Sequence, residues 1–314
     1  MKIIKPLFWN NKKPNLLSYL LFPLTIFIRL NNFLIDYSKK SKNKNIKTLC
    51  VGNIYIGGTG KTPTTISIFR LLKKLNKKLS VGKKFYPSHV DEHAILKRET
   101  NLILGNSRKE IITKAINTKN KILIFDDGLQ DKLIDYDLKF VCFNSSEWIG
   151  NGKLIPSGPL RESLKSLKKF DAVLLKTNGE KNQHIIKSIK SINSQIKIFL
   201  TEYKIENSKI FNKNQNYVIF SGIGSPQHFK DLLIKNKFRI KKELIYPDHH
   251  NYKKNEIRYI ENLAKKMNAK IITTEKDFVK IKKFISKNIN FLKVKLEIKD
   301  KINLLKFIKL KLYG

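Results

Sequence analysis

Gly57-Gly58-Thr59-Gly60-Lys61-Thr62 stands between an apolar run at residues 47–52 and a stretch of helical pattern at 63–75. Glycines let backbone N–H groups turn inward around phosphate oxygens. The N-terminus of the following helix adds a dipole that favours anions. In that setting Lys61, facing solvent in the empty loop, reaches the outer phosphates of a nucleotide, and the Thr62 hydroxyl binds Mg²⁺. Gly57, Gly58, Thr59, Gly60, Lys61 and Thr62 are therefore the expected nucleotide-binding residues, with ATP and Mg²⁺ as the expected cofactors. Pro63 suits a first helical turn, where its missing N–H costs nothing. The standard pattern has a glycine five residues before Gly60, whereas this chain has Tyr55; the Gly57-Gly58 pair can serve instead. The competing reading is a glycine-rich strand-to-helix turn with no ligand. The Gly-Lys-Thr ending, set between a strand and a helix, favours phosphate.

Beyond the loop, short apolar runs at 121–125, 140–143, 172–175 and 196–200 alternate with helical stretches. Such alternation predicts a parallel sheet covered by helices. A polar stretch at 204–216 interrupts it, and the pattern then restarts with runs at 217–220, 240–245 and 270–273 and helices from Pro226 and up to Met267. The expected fold is α/β. A P-loop NTPase-like core at residues 1–205 carries an N-terminal membrane-interface helix, and a smaller α/β domain follows at 206–314. The active site is expected between them.

Asp126 and Asp127 end the run at 121–125. In phosphate-loop enzymes a carboxylate at the end of a neighbouring strand holds magnesium. Two adjacent carboxylates are costly there unless they are solvated or bound to a cation. An exposed turn helped by Gly128 is the alternative. Between loop and strand lies His89-Val90-Asp91-Glu92-His93, whose spacing fits no standard zinc pattern. A kinase also needs a group to take the proton of the attacking hydroxyl. A carboxylate serves, and His249 in Tyr246-Pro247-Asp248-His249-His250 could orient it. Arg108 and Arg161 are candidates to meet phosphate charge, since guanidinium pairs phosphate bidentately. A surface pair of Arg161 with Glu162 is the alternative for that residue.

The chain has 64 Lys and Arg against 25 Asp and Glu, for a net charge of +39. That implies an anionic partner, although Lys, Ile and Asn are abundant throughout, which also fits a compositional bias. With 41% hydrophobic residues the chain is globular rather than disordered. Cys50 and Cys142 each sit in an apolar stretch and read as small buried hydrophobes, not as a disulfide framework or a metal site. The apolar run 16–28 contains Pro23 and precedes Arg29. It is short for a membrane span and lacks a cleavage site. Phe8 and Trp9 precede it, and Lys12, Lys13, Lys39 and Lys40 flank it. Such flanks fit a helix lying in a membrane interface; a terminal helix docked on the core is the alternative.

Taken in order, these stretches resemble the tetraacyldisaccharide 4'-kinases of lipid A biosynthesis. The resemblance runs through Val51-Gly52-Asn53, the glycine loop with Pro63, Asp91-Glu92 and Asp126-Asp127-Gly128-Leu129-Gln130. Its most specific stretch is Gly150-Asn151-Gly152-Lys153-Leu154-Ile155-Pro156-Ser157-Gly158-Pro159-Leu160-Arg161-Glu162. Ser221-Gly222-Ile223-Gly224, Pro247-Asp248-His249-His250 and Thr274-Glu275-Lys276-Asp277 continue it, and Leu7-Phe8-Trp9 with residues 20–24 are similar as well. The resemblance implies ATP-dependent phosphorylation of the 4'-hydroxyl of a lipid disaccharide 1-phosphate, by a peripheral protein at the cytoplasmic face of a Gram-negative inner membrane. It implies Asp91 as the catalytic carboxylate paired with His249, and Glu92, Asp126 and Asp127 near magnesium. Non-glycine at the Tyr55 position is usual in that family. This chain departs from it at Val81-Gly82-Lys83-Lys84-Phe85-Tyr86, where the family carries Ser-Arg-Gly-Tyr-Gly. It departs again at His93, where proline is usual, and at Asp131, where histidine is usual.

Two other classes compete. A nucleic-acid-dependent NTPase would use the charge, but basic residues are spread evenly and no recognition motif is present; with the apolar N-terminal run, this makes nucleic acid an unexpected partner. A membrane-partitioning ATPase would carry a similar loop and consume ATP without labelling lipid.

Overall fold

The computed structural model describes residues 6–36, 41–75, 78–131, 133–177, 182–282 and 288–314. Lys39 and Lys40 lie outside them. In chain order come α1 (Leu16–Leu20), α2 (Thr25–Asp36), β1 (Lys47–Gly52), α3 (Lys61–Lys73), β2 (Leu79–Lys84), α4 (Val90–Glu99), β3 (Leu102–Gly105), α5 (Arg108–Asn117), β4 (Ile122–Asp126), β5 (Leu138–Asn144), β6 (Ala172–Lys176), α6 (Gln183–Ile192) and β7 (Lys197–Ile205). They continue with β8 (Asn216–Ser221), α7 (Pro226–Lys235), β9 (Arg239–Ile245), α8 (Lys254–Lys266), β10 (Ala269–Thr274), α9 (Glu275–Ile281), β11 (Ile289–Leu292), β12 (Val294–Ile298) and α10 (Lys301–Tyr313).

These elements form two compact units. The first takes the chain up to Phe85, then Glu99–Glu202 and Leu296–Gly314; the second takes Tyr86–Arg98 and Tyr203–Lys295. A break near 205 was expected, with everything before it in one domain and everything after it in the other. The structure differs in two places. Residues 86–98, which carry Asp91 and Glu92, belong to the second unit. The C-terminal helix α10 belongs to the first, where Leu304, Ile308 and Leu312 are buried. Local periodicity reports that a segment is helical, not which sheet it covers, so neither excursion left a mark in the sequence.

In the first unit eight strands run in the order β12-β7-β6-β5-β1-β4-β2-β3. The central strands β4 and β6 are buried at every position. That is why they read as continuous apolar runs rather than alternating ones. β1 pairs in parallel with β4 on one side and β5 on the other. The glycine loop leaves its C-terminal end, where open α/β sheets bind ligands. β2 flanks β4 with Gly82 opposite Phe125. The second unit holds a four-stranded sheet, β11-β10-β8-β9, whose pairings are all parallel. Its edge strand β9 exposes Arg239, Lys241 and Lys242, and such charges deter pairing with another chain. Cys50 and Cys142 are buried free thiols, and burial pushes Cys142 up to about 12.

The N-terminal apolar run is not one helix. Pro23 falls in a 3-10 turn, Phe22–Leu24, between α1 and α2, and α2 extends to Asp36. This segment is tied down by polar groups. Asn151 Nδ2 donates to Ser18 Oγ at 2.9 Å and to Ser157 O at 3.0 Å, Trp9 Nε1 donates to Pro156 O at 3.0 Å, and Asn32 Nδ2 donates to Arg161 O at 3.1 Å. Gly150 is needed here because its φ is 56°, and a Cβ would lie 2.2 Å from Trp9 O. The apolar side chains point away from these anchors: Leu16 is 85% exposed, Leu20 73% and Phe27 70%. No helix among the described residues is long and apolar enough to cross a membrane.

Candidate active site

Helix α3 begins at Lys61, with Gly60 at its N-cap in the left-handed region at φ 84°. Gly57 has φ 134°. A Cβ there would meet the Tyr55 ring at 3.2 Å. Tyr55, the residue at odds with the standard pattern, is fully buried, so its ring packs beside the loop while Gly57 supplies the sharp turn. Asn53 braces the loop: its Nδ2 donates to Tyr55 O at 2.6 Å and to Thr59 Oγ1 at 2.9 Å. Gln130 Nε2 donates to Asn53 O at 2.7 Å. These links stand where a phosphate loop needs a fixed backbone.

Four expected residues converge at the strand ends. Thr62 Oγ1 donates to Asp126 Oδ2 at 3.0 Å, and Thr65 Oγ1 to Asp126 Oδ1 at 3.1 Å. Lys61 Nζ is 3.4 Å from Asp127 Oδ2, and its side chain is only 17% exposed. Lys61 therefore does not face solvent, because Asp127 holds it. Asp127 adopts φ 68°, and its N–H donates to Val51 O at 2.9 Å. Burial pushes the Asp127 carboxyl up, but Lys61, Arg161, Lys83 and Arg108 more than offset this and hold it below the ordinary carboxylate range.

Magnesium fits this set. All the donors are hard oxygens, the Thr62 hydroxyl proton is turned onto Asp126 and so leaves its lone pairs for a cation, and Asp127 Oδ1 is buried with no hydrogen-bond partner. Among the described residues no three His, Cys, Asp or Glu side chains gather into a metal cage. Magnesium in phosphate-transfer sites takes one or two carboxylates and completes its shell with phosphates and water.

The two arginines divide. Arg108 is taken up by protein: Nη1 pairs with Asp131 Oδ2 at 2.8 Å and Nη2 donates to Asp127 O at 3.0 Å. It braces the turn after β4, and the unusual Asp131 is its partner. Arg161 Nη1 donates to Gln130 Oε1 at 3.1 Å and lies 3.9 Å from Asp127 Oδ2. Gln130 Nε2 also lies 3.4 Å from Glu162 Oε1.

The second unit carries the other expected group. Asp91, in the first turn of α4, is 1% exposed. His249 Nδ1 lies 3.4 Å from its Oδ1, and Lys280 Nζ 3.5 Å from its Oδ2. His249 sits at φ 56°, its N–H donates to Gly222 O at 3.1 Å, and its ring stacks on His89 at 4.6 Å. Burial pushes the Asp91 carboxyl up, but His249, Lys276 and Lys280 outweigh this and hold it at about 2. Glu92, expected near the metal, is bonded by Lys276 within its own unit. His250 pairs with Glu256 at 3.0 Å.

Sequence reasoning did not single out Asp277, Lys280 or Lys83. Asp277 accepts from Gly222 N at 3.0 Å and from Thr274 Oγ1 at 2.6 Å, and so ties the turn after β8 to the start of α9. Lys83 Nζ lies 2.5 Å from Asp126 Oδ2. The available signal was a buried carboxylate at 126, which needs a cation.

One pH consequence follows from Asp91. Its folded pKa of about 2 lies below the ordinary ~3.9. The stabilisation is therefore present above about pH 4 and is lost as pH falls toward 2. It should amount to something on the order of 2 kcal/mol. Denaturant unfolding of wild type and Asp91→Asn should differ by this much near neutrality and converge toward pH 2. A constant difference across that range would mean that Asp91 is not held ionised by its neighbours.

Comparisons with known proteins show the family and the fold. A family model described as tetraacyldisaccharide-1-P 4'-kinase matches residues 15–313. A tetraacyldisaccharide 4'-kinase of Pelagibacter ubique is 46% identical over 288 residues, covering 92% of this chain and 91% of that relative. Its counterpart from Rickettsia bellii is 35% identical over 298 residues, with 90% of each chain covered. The crystal structure of LpxK from Aquifex aeolicus in complex with ATP superposes with a TM-score of 0.69, covering 95% of this chain and all of that one at 21% identity, which shows a shared fold.

Proposed function

We propose a lipid-sugar kinase reaction for this chain, which belongs to the tetraacyldisaccharide-1-P 4'-kinase family. ATP gives its γ-phosphoryl group to the 4'-hydroxyl of a tetraacyldisaccharide 1-phosphate. The observation that carries the reading is the presence, in one chain of this family, of a braced phosphate loop ending in Thr62–Asp126 and a buried Asp91–His249 pair.

The backbone of residues 57–60 and Lys61 bind the phosphates, and Arg161 adds positive charge beside Asp127. Thr62 and Asp126, with Asp127, would hold Mg²⁺, which neutralises charge developing on the transferred group. Asp91 accepts the hydroxyl proton as the sugar oxygen bonds to phosphorus and the bond to ADP breaks. His249 orients the Asp91 carboxylate, and Lys280 and Lys276 keep it ionised. The test is incubation with γ-labelled ATP and the lipid disaccharide 1-phosphate. Label in the lipid is expected; ATP consumption with unlabelled lipid would favour the partitioning-ATPase reading.

The acceptor is a lipid, and the same reading puts the enzyme peripherally on the cytoplasmic face of an inner membrane. The support is the α1–α2 segment, held through polar groups with its apolar side chains outward. Each such side chain contributes about 1.5–3 kcal/mol when buried in an apolar phase. Leu16→Ser, Leu20→Ser and Phe27→Ser together should therefore abolish flotation with anionic vesicles while nucleotide binding persists. This variant is cleaner than deleting the segment, because deletion would also remove Trp9 and Ser18 from the Gly150–Pro159 loop. Undiminished flotation would rule out this face as the anchor.

A further inference from the structure

Lys83 lies near the C-terminal end of β2, and its side chain is 5% exposed. Gly82 is opposite Phe125 in the parallel β2–β4 pairing, so the next residues along the two strands, Lys83 and Asp126, are neighbours. Lys83 Nζ reaches Asp126 Oδ2 at 2.5 Å. Thr62 Oγ1 donates to that same oxygen, while Oδ1 is taken by Thr65 Oγ1. A metal held by Thr62 and Asp126 would have to share Oδ2 with an ammonium. Two cations on one carboxylate oxygen repel strongly where solvent screening is weak. An ammonium buried in a strand is in turn costly without its carboxylate. Its four-carbon stem lets it swing away when a stronger cation arrives.

We propose that Lys83 is a tethered counter-cation: it holds the Asp126 carboxylate in the metal-free protein, competes with Mg²⁺ for it, and is displaced from Asp126 Oδ2 when the metal–nucleotide complex binds. The proposal rests on the magnesium site assigned above to Thr62 and Asp126. It accounts for a lysine at a position where a bare metal-ligand carboxylate would otherwise be buried without charge compensation. It also makes metal entry depend on nucleotide. Alone, Mg²⁺ must expel the ammonium, whereas with nucleotide bound the phosphate oxygens help to hold the metal and give the released ammonium an anionic surrounding. Lys83 is on this account a positioning residue for Asp126, not a group that reacts.

The test is Mn²⁺ binding to the nucleotide-free full chain, followed by electron paramagnetic resonance. Lys83→Met should bind Mn²⁺ roughly tenfold tighter or more, as expected when a like charge a few ångströms away is removed. Lys83→Arg keeps the charge and should bind like wild type. The double variant Asp126→Asn with Lys83→Met should lose the gained affinity. If Lys83→Met binds no tighter than wild type while the double variant binds more weakly, Lys83 does not compete and the magnesium site alone stands. If the double variant binds as tightly as Lys83→Met, the ion is not at Asp126 and both assignments fall. Circular dichroism checks folding. Should Lys83→Met fail to fold, Lys83→Gln, which keeps a donor without charge, takes its place with the same expected outcomes.

Discussion

Replacing Asp91 with asparagine should lower kcat by roughly 10²–10⁴-fold and leave ATP affinity close to wild type. The amide is nearly isosteric, so packing at this buried position survives, but it cannot accept the sugar proton. The neighbouring cations keep other partners, since Lys276 still bonds Glu92 and Lys280 remains 3.4 Å from Asp277. The glycine loop at residues 57–62 belongs to the first unit, whereas Asp91 belongs to the second. His249→Ala should be milder if the histidine only orients Asp91, and the double variant should be little worse than Asp91→Asn, because residues acting as a unit are non-additive. Titrating magnesium against Asp91→Asn separates two roles. Recovery of turnover at high magnesium would make Asp91 a metal ligand rather than a base, and near-normal turnover throughout would remove it from the site.

The second large effect is expected at Asp126, and it concerns stability as well as turnover. Asp126→Asn takes from the buried Lys83 ammonium the carboxylate that it contacts. Breaking one side of such a pair costs about 3–5 kcal/mol. Adding Lys83→Met should return most of that loss, since both charges are then gone, yet turnover should stay low because the carboxylate proposed to hold magnesium is missing. Urea unfolding of the two single variants and the double variant gives the coupling energy directly. Additive losses, with the double variant as unstable as the sum, would show that Lys83 and Asp126 do not depend on each other.

Legibility in the sequence followed the range of the interaction concerned. The glycine loop was legible because turn, helix start and phosphate donors are consecutive residues, and Gly57 and Gly60 do adopt left-handed φ. Asp126 was legible as the end of a fully buried strand. A carboxylate oriented by His249 is an option in the residues alone, the family resemblance names Asp91 as that carboxylate, and the two side chains lie 3.4 Å apart. The chemistry of Arg108 makes it a candidate to meet phosphate charge, whereas in the structure it pairs with Asp131, a residue that departs from the family pattern.

The class of fold, the place of the glycine loop and the family resemblance are legible residue by residue, because continuous apolar strands, helical periodicity and turn chemistry are properties of neighbouring residues. Which charges meet is set in three dimensions. Lys83 reaches Asp126 across 43 positions, Asp277 reaches Gly222 across 55, and Trp9 reaches Pro156 across 147. The same holds for the assignment of residues 86–98 to the second unit and of α10 to the first. The physical reason is that a buried charge or donor must find a partner but carries no local sign of which one. Strand order and register bring the two together, and these are settled by how whole elements bury their apolar faces.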